Sequence, residues 1–571
     1  MSGSAPYPRT VRGTNLFDTD VNLHRLLERR APHVMERHGE RLSDFGAWAG
    51  TRLDEQAEYT DRFAPPKLDP YDGDGQRTGR VVFNSDYLDC HQEAYRRGAV
   101  GLPYAEGAER VSHAVCFAMG YLLSHADISI HCPVTMTGAV AHVLDTLAPA
   151  DVRDRYLPEM TRMDGHTKSG GTWATELHGG SDVGATTTRA EQRNDGWRLD
   201  GVKWFTSNAG SGLALATARP ADFDGRDVAG GRGLGCYLVP SHLDDGSPNH
   251  YRARRLKEKA GTRGLATAEL DLLGAFAVEM APPPVGLRVM MAALEYSRIH
   301  NAVGSAGMLR RAFLESAGWA FHRTAFGRTL RHYPMVQDQL LDMQMEMEAA
   351  TALAFESVLA FDAQLQNPEG ADWLRLVTAL AKYRTAEQCV TACRRSVEMV
   401  GGNGYTEEWP TARLYRDCLV TAVWEGPANI QALELLRLVA GRRPGNQIFL
   451  ARVGAVLSDL PNEAKLPGIA DAAEILEGAM EECRAALSYL RGNPEEGPRH
   501  GRRLLELMSD TMAAALLLEE AVDELALGDR RKWLVARRFV HKVLAKSDPI
   551  GPDADPASAA FDAVLAYEPV D

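Results

Sequence analysis

The chain has eight cysteines but no C-x-x-C pair, so neither a zinc site of that spacing nor a disulfide framework is written into it. Cys389 and Cys393 stand i,i+4 on an expected helix and read as buried, reduced thiols that pack as small hydrophobes. No run approaches the roughly 18 apolar residues that a membrane helix needs. The start, M-S-G-S-A-P-Y-P, has neither the basic nor the apolar block of a signal peptide. The expectation is a cytoplasmic protein that spans no membrane. Positive charge is scarce as well: the net charge is −14, opposite to the field that nonspecific nucleic-acid binding needs. What is present, 571 residues with a hydrophobic fraction of 45%, suffices to bury one large core or several smaller ones.

Periodicity divides the chain into four regions. Residues 1–163 show apolar residues at helical spacing, with a Pro-rich break at 64–70, and predict a helical domain with a long excursion. Residues 164–284 alternate as short strands with polar turns and predict an antiparallel β domain. The G-G-R-G-L-G that begins at Gly230 reads there as a hairpin connection and not a phosphate loop, because no helix follows it. Residues 285–440 return to long amphipathic helices, including 298–323 and 336–363. Residues 441–571 form a helical extension that opens on the linker G-R-R-P-G, carries helices near 470–491 and 503–526, and ends in a Pro/Ala/Asp-rich tail after Lys546. This extension has 16 basic against 22 acidic side chains. Arg530, Arg531, Lys532, Arg537, Arg538, Lys542 and Lys546 nevertheless cluster at helical spacing. They could form one basic stripe, and a solvated helix face is the plainer expectation.

Several segments carry chemistry. Residues 171–183 read G-T-W-A-T-E-L-H-G-G-S-D-V, whose hydroxyls and free backbone N–H groups suit a flavin edge or a phosphate. A hairpin follows, T-T-T-R-A-E-Q, the turn R-N-D-G, and W-R-L-D-G-V-K-W-F-T-S-N. Further on stand R-T-A-F-G-R-T-L from Arg323, G-G-N-G-Y-T-E-E-W-P from Gly401, and V-W-E-G-P-A-N-I-Q from Val423. The last places Glu425 in a Gly-Pro turn beside Trp424, where a carboxylate would lose solvation and become a stronger base. An exposed turn glutamate is the simpler alternative from this pattern alone. Pro427 suits a first helical turn, and Asn429 is a candidate capping side chain for the helix expected after it.

The order of these segments resembles that of the acyl-CoA dehydrogenase flavoproteins, with their T-E-x-x-x-G-S-D, K-x-W-I-T-N, R-x-x-F-G, Q-x-x-G-G-x-G-Y and Y-E-G-T motifs. The resemblance runs from about Pro103 to Val439. It is closest to the AidB subgroup of the bacterial alkylation response, through H-C-P-V-T-M-T at His131, G-V-K-W-F-T-S at Gly201, L-K-E-K-A-G-T-R at Leu256, V-E-M-V-G-G-N-G-Y at Val397 and N-L-F-D-T-D-V-N-L near the start. The implied fold is α+β: an N-terminal helical domain, a central antiparallel β domain and a C-terminal four-helix domain, with flavin between the last two, plus the helical extension. The implied cofactor is FAD and the implied assembly a homotetramer.

Residue by residue, the resemblance gives Thr175 to the flavin pyrimidine edge and Ser181, after Gly180, to the thioester arm of the ligand. Phe205 replaces the Trp that lies against the flavin ring, followed by Thr206, and Ser207 stands where a Thr reaches the reactive N(5). Arg323 and Phe326 match the pair that meets the adenine and pyrophosphate of FAD held by a neighbouring subunit. Gly401 and Gly402 match the glycines that admit the cofactor, and Asn429 stands at the adenine end. Glu425 matches the base that removes the proton alpha to a thioester carbonyl, giving an α,β-unsaturated product, with Arg298 supporting charge nearby. The base position of other branches is occupied here by Ser297. Pro427, Pro334 and Glu398 depart from common family residues. The implied function is dehydrogenation of an acyl thioester, carried by CoA or a carrier protein, with electrons passed to an electron-transfer flavoprotein or to oxygen. Relatives that oxidise nitroalkanes carry Asp at the base position, which Glu425 disfavours. The alternative is an AidB-like flavoprotein with a DNA-associated protective role, which the acidic extension disfavours.

Overall fold

Alternating runs in the middle of the chain fold as a sheet that closes on itself. The computed structural model describes residues 7–105, 111–221, 228–440, 443–545 and 556–570, and contacts group them into two units, 51–300 and 1–50 with 301–571. In the first unit, β1 (Lys67–Tyr71) and β2 (Arg77–Val82) form a hairpin. The main sheet is built from β3 (Gly170–Trp173), β4 (Arg189–Arg193), β5 (Gly196–Ser207), β6 (Leu213–Pro220), β7 (Gly235–Pro240), β8 (Tyr251–Leu256) and β9 (Thr267–Ala281). Its order β6-β4-β5-β9-β7 returns to β6 through the β6–β7 pairing, with β3 on β6 and β8 on β9. The sheet is mixed where antiparallel pairing was expected, because β3 and β4 both run parallel to β6. Small inward residues, among them Ala190, Ala214, Ala216, Ala268 and Ala277, leave room for Trp173 and Tyr237 in its core.

The Pro-rich excursion is the β1–β2 hairpin, which packs against the edge strand β8. That cover removes an exposed row of backbone donors and acceptors. Helices Asp54–Arg62, Ser85–Arg96, His113–Ala126, Ile128–Leu147 and Ala150–Thr161, with the part of Gly286–His322 up to His300, make the helical part of this unit. Between them lies a buried group of imidazoles. His131 and His300 have ring centroids 5.4 Å apart, and Tyr296 contacts the rings of His113, His142 and His300.

The second unit is helical. Its principal helices are Val21–Arg30, Pro32–Trp48, Pro334–Gln366, Ala371–Val400, Ala428–Val439, Gly445–Asp459, Ile469–Gly492, Gly497–Ala526 and Arg531–Phe539. The helix Gly286–His322 enters it at Asn301. The helix Gly497–Ala526 packs on Pro334–Gln366, Ala371–Val400 and Ala428–Val439, so the extension shares a unit with the preceding helices and with the first 50 residues. No helix among the described residues is long and apolar enough to cross a membrane.

The basic cluster of the extension is neither a stripe nor a solvated face. Arg531 and Lys532 are buried, and Arg531 grips Glu348 through both nitrogens at 2.8 and 2.9 Å. Lys532 reaches Glu348 at 2.6 Å, Glu520 at 2.8 Å and Asn22 at 2.7 Å. Arg538 and Lys542 pair with Asp342 at 2.6 and 3.1 Å. Burial pushes the Glu348 carboxyl up, but Arg531 and Lys532 outweigh it and hold the group down at about 2. Lys546, the tail up to 555, and Gly441 and Arg442 of the linker lie outside the described residues.

Two outcomes follow from burial. Glu348→Gln takes the carboxylate from the buried Arg531 and leaves Lys532 only the Glu520 carboxylate, and is expected to cost about 3–5 kcal/mol in denaturant unfolding, whereas Glu348→Met with Arg531→Met recovers part of that loss. Burial pulls His131 down to about 3 and His91 to about 4, both below the ordinary 6.5. Their neutral forms belong to the fold, so the stability they contribute is full above pH 6.5 and is lost as pH falls toward those values. At pH 5 the unfolded chain gains roughly 2 kcal/mol for each such imidazole it protonates, and Tm is expected to fall steeply between pH 6.5 and 4.

Candidate active site

The candidate residues occur in both units: Thr175, Gly180, Ser181, Phe205, Thr206, Ser207 and Arg298 in residues 51–300, and Arg323, Phe326, Gly401, Gly402, Glu425 and Asn429 in the other. In the first unit the loop after β3 is joined to β5 by the Trp204 N–H, which donates to the Thr175 carbonyl at 2.9 Å. Gly180 sits over Thr175: a Cβ there would lie 2.5 Å from the Thr175 hydroxyl oxygen. Ser181 is exposed beside it. The loop is anchored by a buried pair, Lys203 Nζ and Glu176 Oε1 at 2.9 Å, with Lys203 also donating to the Thr217 carbonyl at 2.8 Å. Glu176 further accepts from the N–H and hydroxyl groups of Thr187 and Thr188 at 2.6–3.1 Å. Burial opposes the Glu176 charge, but Lys203 and these donors outweigh it and hold the carboxyl down at about 2.

Strand alternation separates the three residues at the end of β5. Phe205 is 52% exposed and Ser207 half-buried, whereas Thr206 is fully buried. Thr206, expected at the cofactor, is turned into the sheet, where its hydroxyl donates to the Ala268 carbonyl at 2.7 Å. Ser207 faces the hydroxyl of its cross-strand neighbour Thr267 at 3.2 Å. Arg298 is buried on the long helix, with Nη1 3.2 Å from Glu295 Oε2. Ser297 spends its hydroxyl on the Ala293 carbonyl at 3.1 Å.

In the helical unit Glu425 has φ 57° and Gly426 φ 95°. A non-glycine residue in the left-handed region costs roughly 1–2 kcal/mol, and such strain persists where neighbours over-determine it. Here the Gln431 amide donates to both the Glu425 and Gly426 carbonyls, at 3.1 and 3.0 Å. Trp424 donates through Nε1 to Asn301 Oδ1, and Asn301 in turn donates to the Thr421 carbonyl at 3.1 Å. The turn therefore directs a half-buried carboxylate whose Oε2 is shielded from solvent. The following helix begins at Ala428 with Pro427 as its cap residue and no side-chain cap. Asn429 lies exposed in the first turn and does not cap the helix as expected.

The remaining residues sit on open surfaces. A two-residue turn, Phe326 at φ 48° and Gly327 at φ 81°, joins β10 (Thr324–Ala325) to β11 (Arg328–Thr329), as a tight hairpin requires. Phe326 is 96% exposed at its tip, and the Tyr333 hydroxyl donates to the Ala325 carbonyl at 2.8 Å beneath it. Arg323 lies at the hairpin's base against the Trp319 ring. A Cβ on Gly401 or Gly402 would meet open space, so backbone there is accessible to a ligand. Within the first unit the exposed Phe205 ring and the half-buried Thr175 and Ser207 hydroxyls suit a planar, polar-edged ring; within the helical unit the open backbone at Gly401 and Gly402 suits close approach of a ligand. Among the described residues no cluster of His, Cys, Asp and Glu could hold a metal.

Three family models match in order: the adaptive response protein AidB N-terminal domain at residues 7–164, the acyl-CoA dehydrogenase middle domain at 171–274 and the acyl-CoA dehydrogenase C-terminal domain at 285–439. AidB of Escherichia coli (strain K12) is 33% identical over 408 residues, 70% of this chain and 73% of that protein. This chain belongs to the acyl-CoA dehydrogenase family. Acyl-CoA dehydrogenase family member 11 of Caenorhabditis elegans is 29% identical over 529 residues, 89% of this chain and 84% of the relative. The solved structure of Caenorhabditis elegans ACDH-11 in complex with C11-CoA covers 99% of this chain and 96% of its own, with TM-score 0.87 and 26% identity. Members of the family are FAD-dependent oxidoreductases.

Sequence reasoning passed over the supports. Glu176 and Lys203 stand inside the motifs that carry the resemblance, and a lysine on an inward position of an alternating strand signals a buried acid partner. Gln431 and Asn301 left no comparable signal. Glu176→Gln strands the Lys203 ammonium, and a loss of about 3–5 kcal/mol is expected together with weakened FAD retention, read by thermal unfolding and by flavin titration of the apoprotein.

Proposed function

We propose that this protein dehydrogenates an acyl thioester between the α and β carbons, with Glu425 as the base. FAD, when bound, supplies the acceptor for the two electrons and the β hydrogen. Glu425 takes the α proton, and its held left-handed backbone is the observation that supports the role, since neighbours maintain that conformation against its cost. The Glu425 N–H polarises the thioester carbonyl, and Arg298 supports the negative charge that develops. Thr175 and Ser207 hydrogen-bond the flavin, Phe205 covers its ring against water, and Gly401 and Gly402 admit it closely. Arg323, Phe326 and Asn429 belong to its adenine and diphosphate end. The exposed Phe326 hairpin serves the cofactor of a neighbouring copy in a homotetramer. Electrons leave to an electron-transfer flavoprotein or to oxygen. The C11-CoA bound by the nematode relative makes straight-chain acyl-CoAs of about that length the first substrates to test.

The DNA-associated reading lacks a comparable support, since Arg531, Lys532, Arg538 and Lys542 are engaged with carboxylates. Glu425→Gln is expected to keep its yellow FAD and to slow anaerobic flavin bleaching by an acyl-CoA by about 10²–10⁴-fold. Bleaching at the wild-type rate would remove Glu425 from the base role.

A further inference from the structure

Ser207 does not stand alone. Its hydroxyl lies 3.2 Å from that of Thr267, its cross-strand partner in the β5–β9 ladder, and two hydroxyls by themselves leave the direction of that bond open. Lys259 settles it. Its ammonium, which has donors and no acceptor, reaches Thr267 Oγ1 at 3.1 Å and the Leu265 carbonyl as well. Thr267 is buried, with 3% exposure, so its hydroxyl hydrogen needs a protein acceptor; of its two hydroxyl partners Lys259 can only donate, which leaves Ser207 Oγ to take that hydrogen. Ser207 then accepts within the sheet and its hydrogen is released outward. The loop that carries Lys259 is fixed: the Lys257 N–H donates to the Thr267 carbonyl at 2.8 Å, the Leu265 N–H to the Thr262 carbonyl at 3.0 Å, and the Ala209 N–H to the Ala266 carbonyl at 3.1 Å.

We propose that Lys259 and Thr267 form a relay that fixes the Ser207 hydroxyl as a hydrogen-bond donor to the reactive ring nitrogen of the flavin. The assignment rests on the flavin reading given above for Ser207. Lys259 and Thr267 are positioning residues, acting on the cofactor through Ser207. The consequence has a sign. The ring nitrogen accepts a hydrogen bond when the flavin is oxidised and carries a hydrogen of its own when reduced, so a serine held as donor favours the oxidised form. Cutting the relay frees Ser207 to rotate and accept, which favours the reduced form.

The test is the reduction potential of the bound FAD, measured by equilibration with a redox dye in the full-length holoprotein. Thr267→Val keeps the side-chain shape and removes the hydroxyl; it is expected to keep FAD and to shift the two-electron equilibrium toward reduced flavin about tenfold, about 30 mV more positive. Thr267→Ser restores the wild-type value. In a Ser207→Ala background Thr267→Val adds no further shift, because the relay ends at Ser207. Lys259→Met, measured in the same cycle against Ser207→Ala, repeats the test from the other end and cancels the effect of its lost charge. A wild-type potential in Thr267→Val, or an equal shift with and without Ser207, overturns the relay. A wild-type protein that holds FAD but is bleached by no acyl thioester removes the dehydrogenase reading and leaves the relay standing, whereas a protein that holds no FAD overturns both.

Discussion

One carboxylate organises the helical unit. Glu348 lies inside the helix Pro334–Gln366 and accepts from Arg531 and Lys532 with no exposure on any of the three beyond 2%. Those cations come from the last long stretch of the chain, Asn22 and Arg29 from its first helix join through Lys532 and Glu520, and the Tyr567 ring covers Arg531 at 4.2 Å. Each ion would be costly to bury alone, and together they specify which helices meet. The apolar faces of the same helices supply bulk stabilisation but would tolerate sliding; two-pronged recognition of a carboxylate by a guanidinium does not.

The β unit uses the same device at smaller scale. Lys203 and Glu176 join strand β5 to the loop that bears Thr175, and the surrounding hydroxyls and N–H groups of Thr187 and Thr188 complete the carboxylate's shell. The polar loop that bears Thr175 is thus secured from behind, by a buried charge pair. The turn at Glu425 is secured differently, by the neutral amide of Gln431 on its carbonyls and by the Trp424 indole bound to Asn301.

Motif order made the family and its three-part architecture legible, because residues at a cofactor are restricted in type and in spacing. Periodicity located the long helices and the alternating β region, and the break at 64–70 marked the hairpin that covers β8. What stayed hidden was long-range pairing. Arg531 and Lys532 look like any exposed basic stretch until Glu348, 183 residues away in sequence, is brought beside them. The parallel β3–β6 pairing has no local signature, since alternation is the same for either strand direction. Thr206 shares a motif with Phe205 and Ser207, yet a strand turns successive residues to opposite faces, and its hydroxyl is bonded inside the sheet to the Ala268 carbonyl. Asn429 falls two residues past Pro427, which holds the cap position, so its side chain stands inside the first turn where it cannot cap the helix.

The division into units also sets an order of assembly. Residues 51–300 are contiguous, so the closed sheet and its helices have all their partners once that stretch has left the ribosome. The other unit is interrupted by them: its first helices are made early, yet Asn22 and Arg29 must wait for Glu520 and Lys532, roughly five hundred residues later. During synthesis, at about 5–20 residues per second, that early segment spends roughly 25–100 s with its apolar stripe uncovered. The helices Val21–Arg30 and Pro32–Trp48 are accordingly the part of the nascent chain most in need of a chaperone.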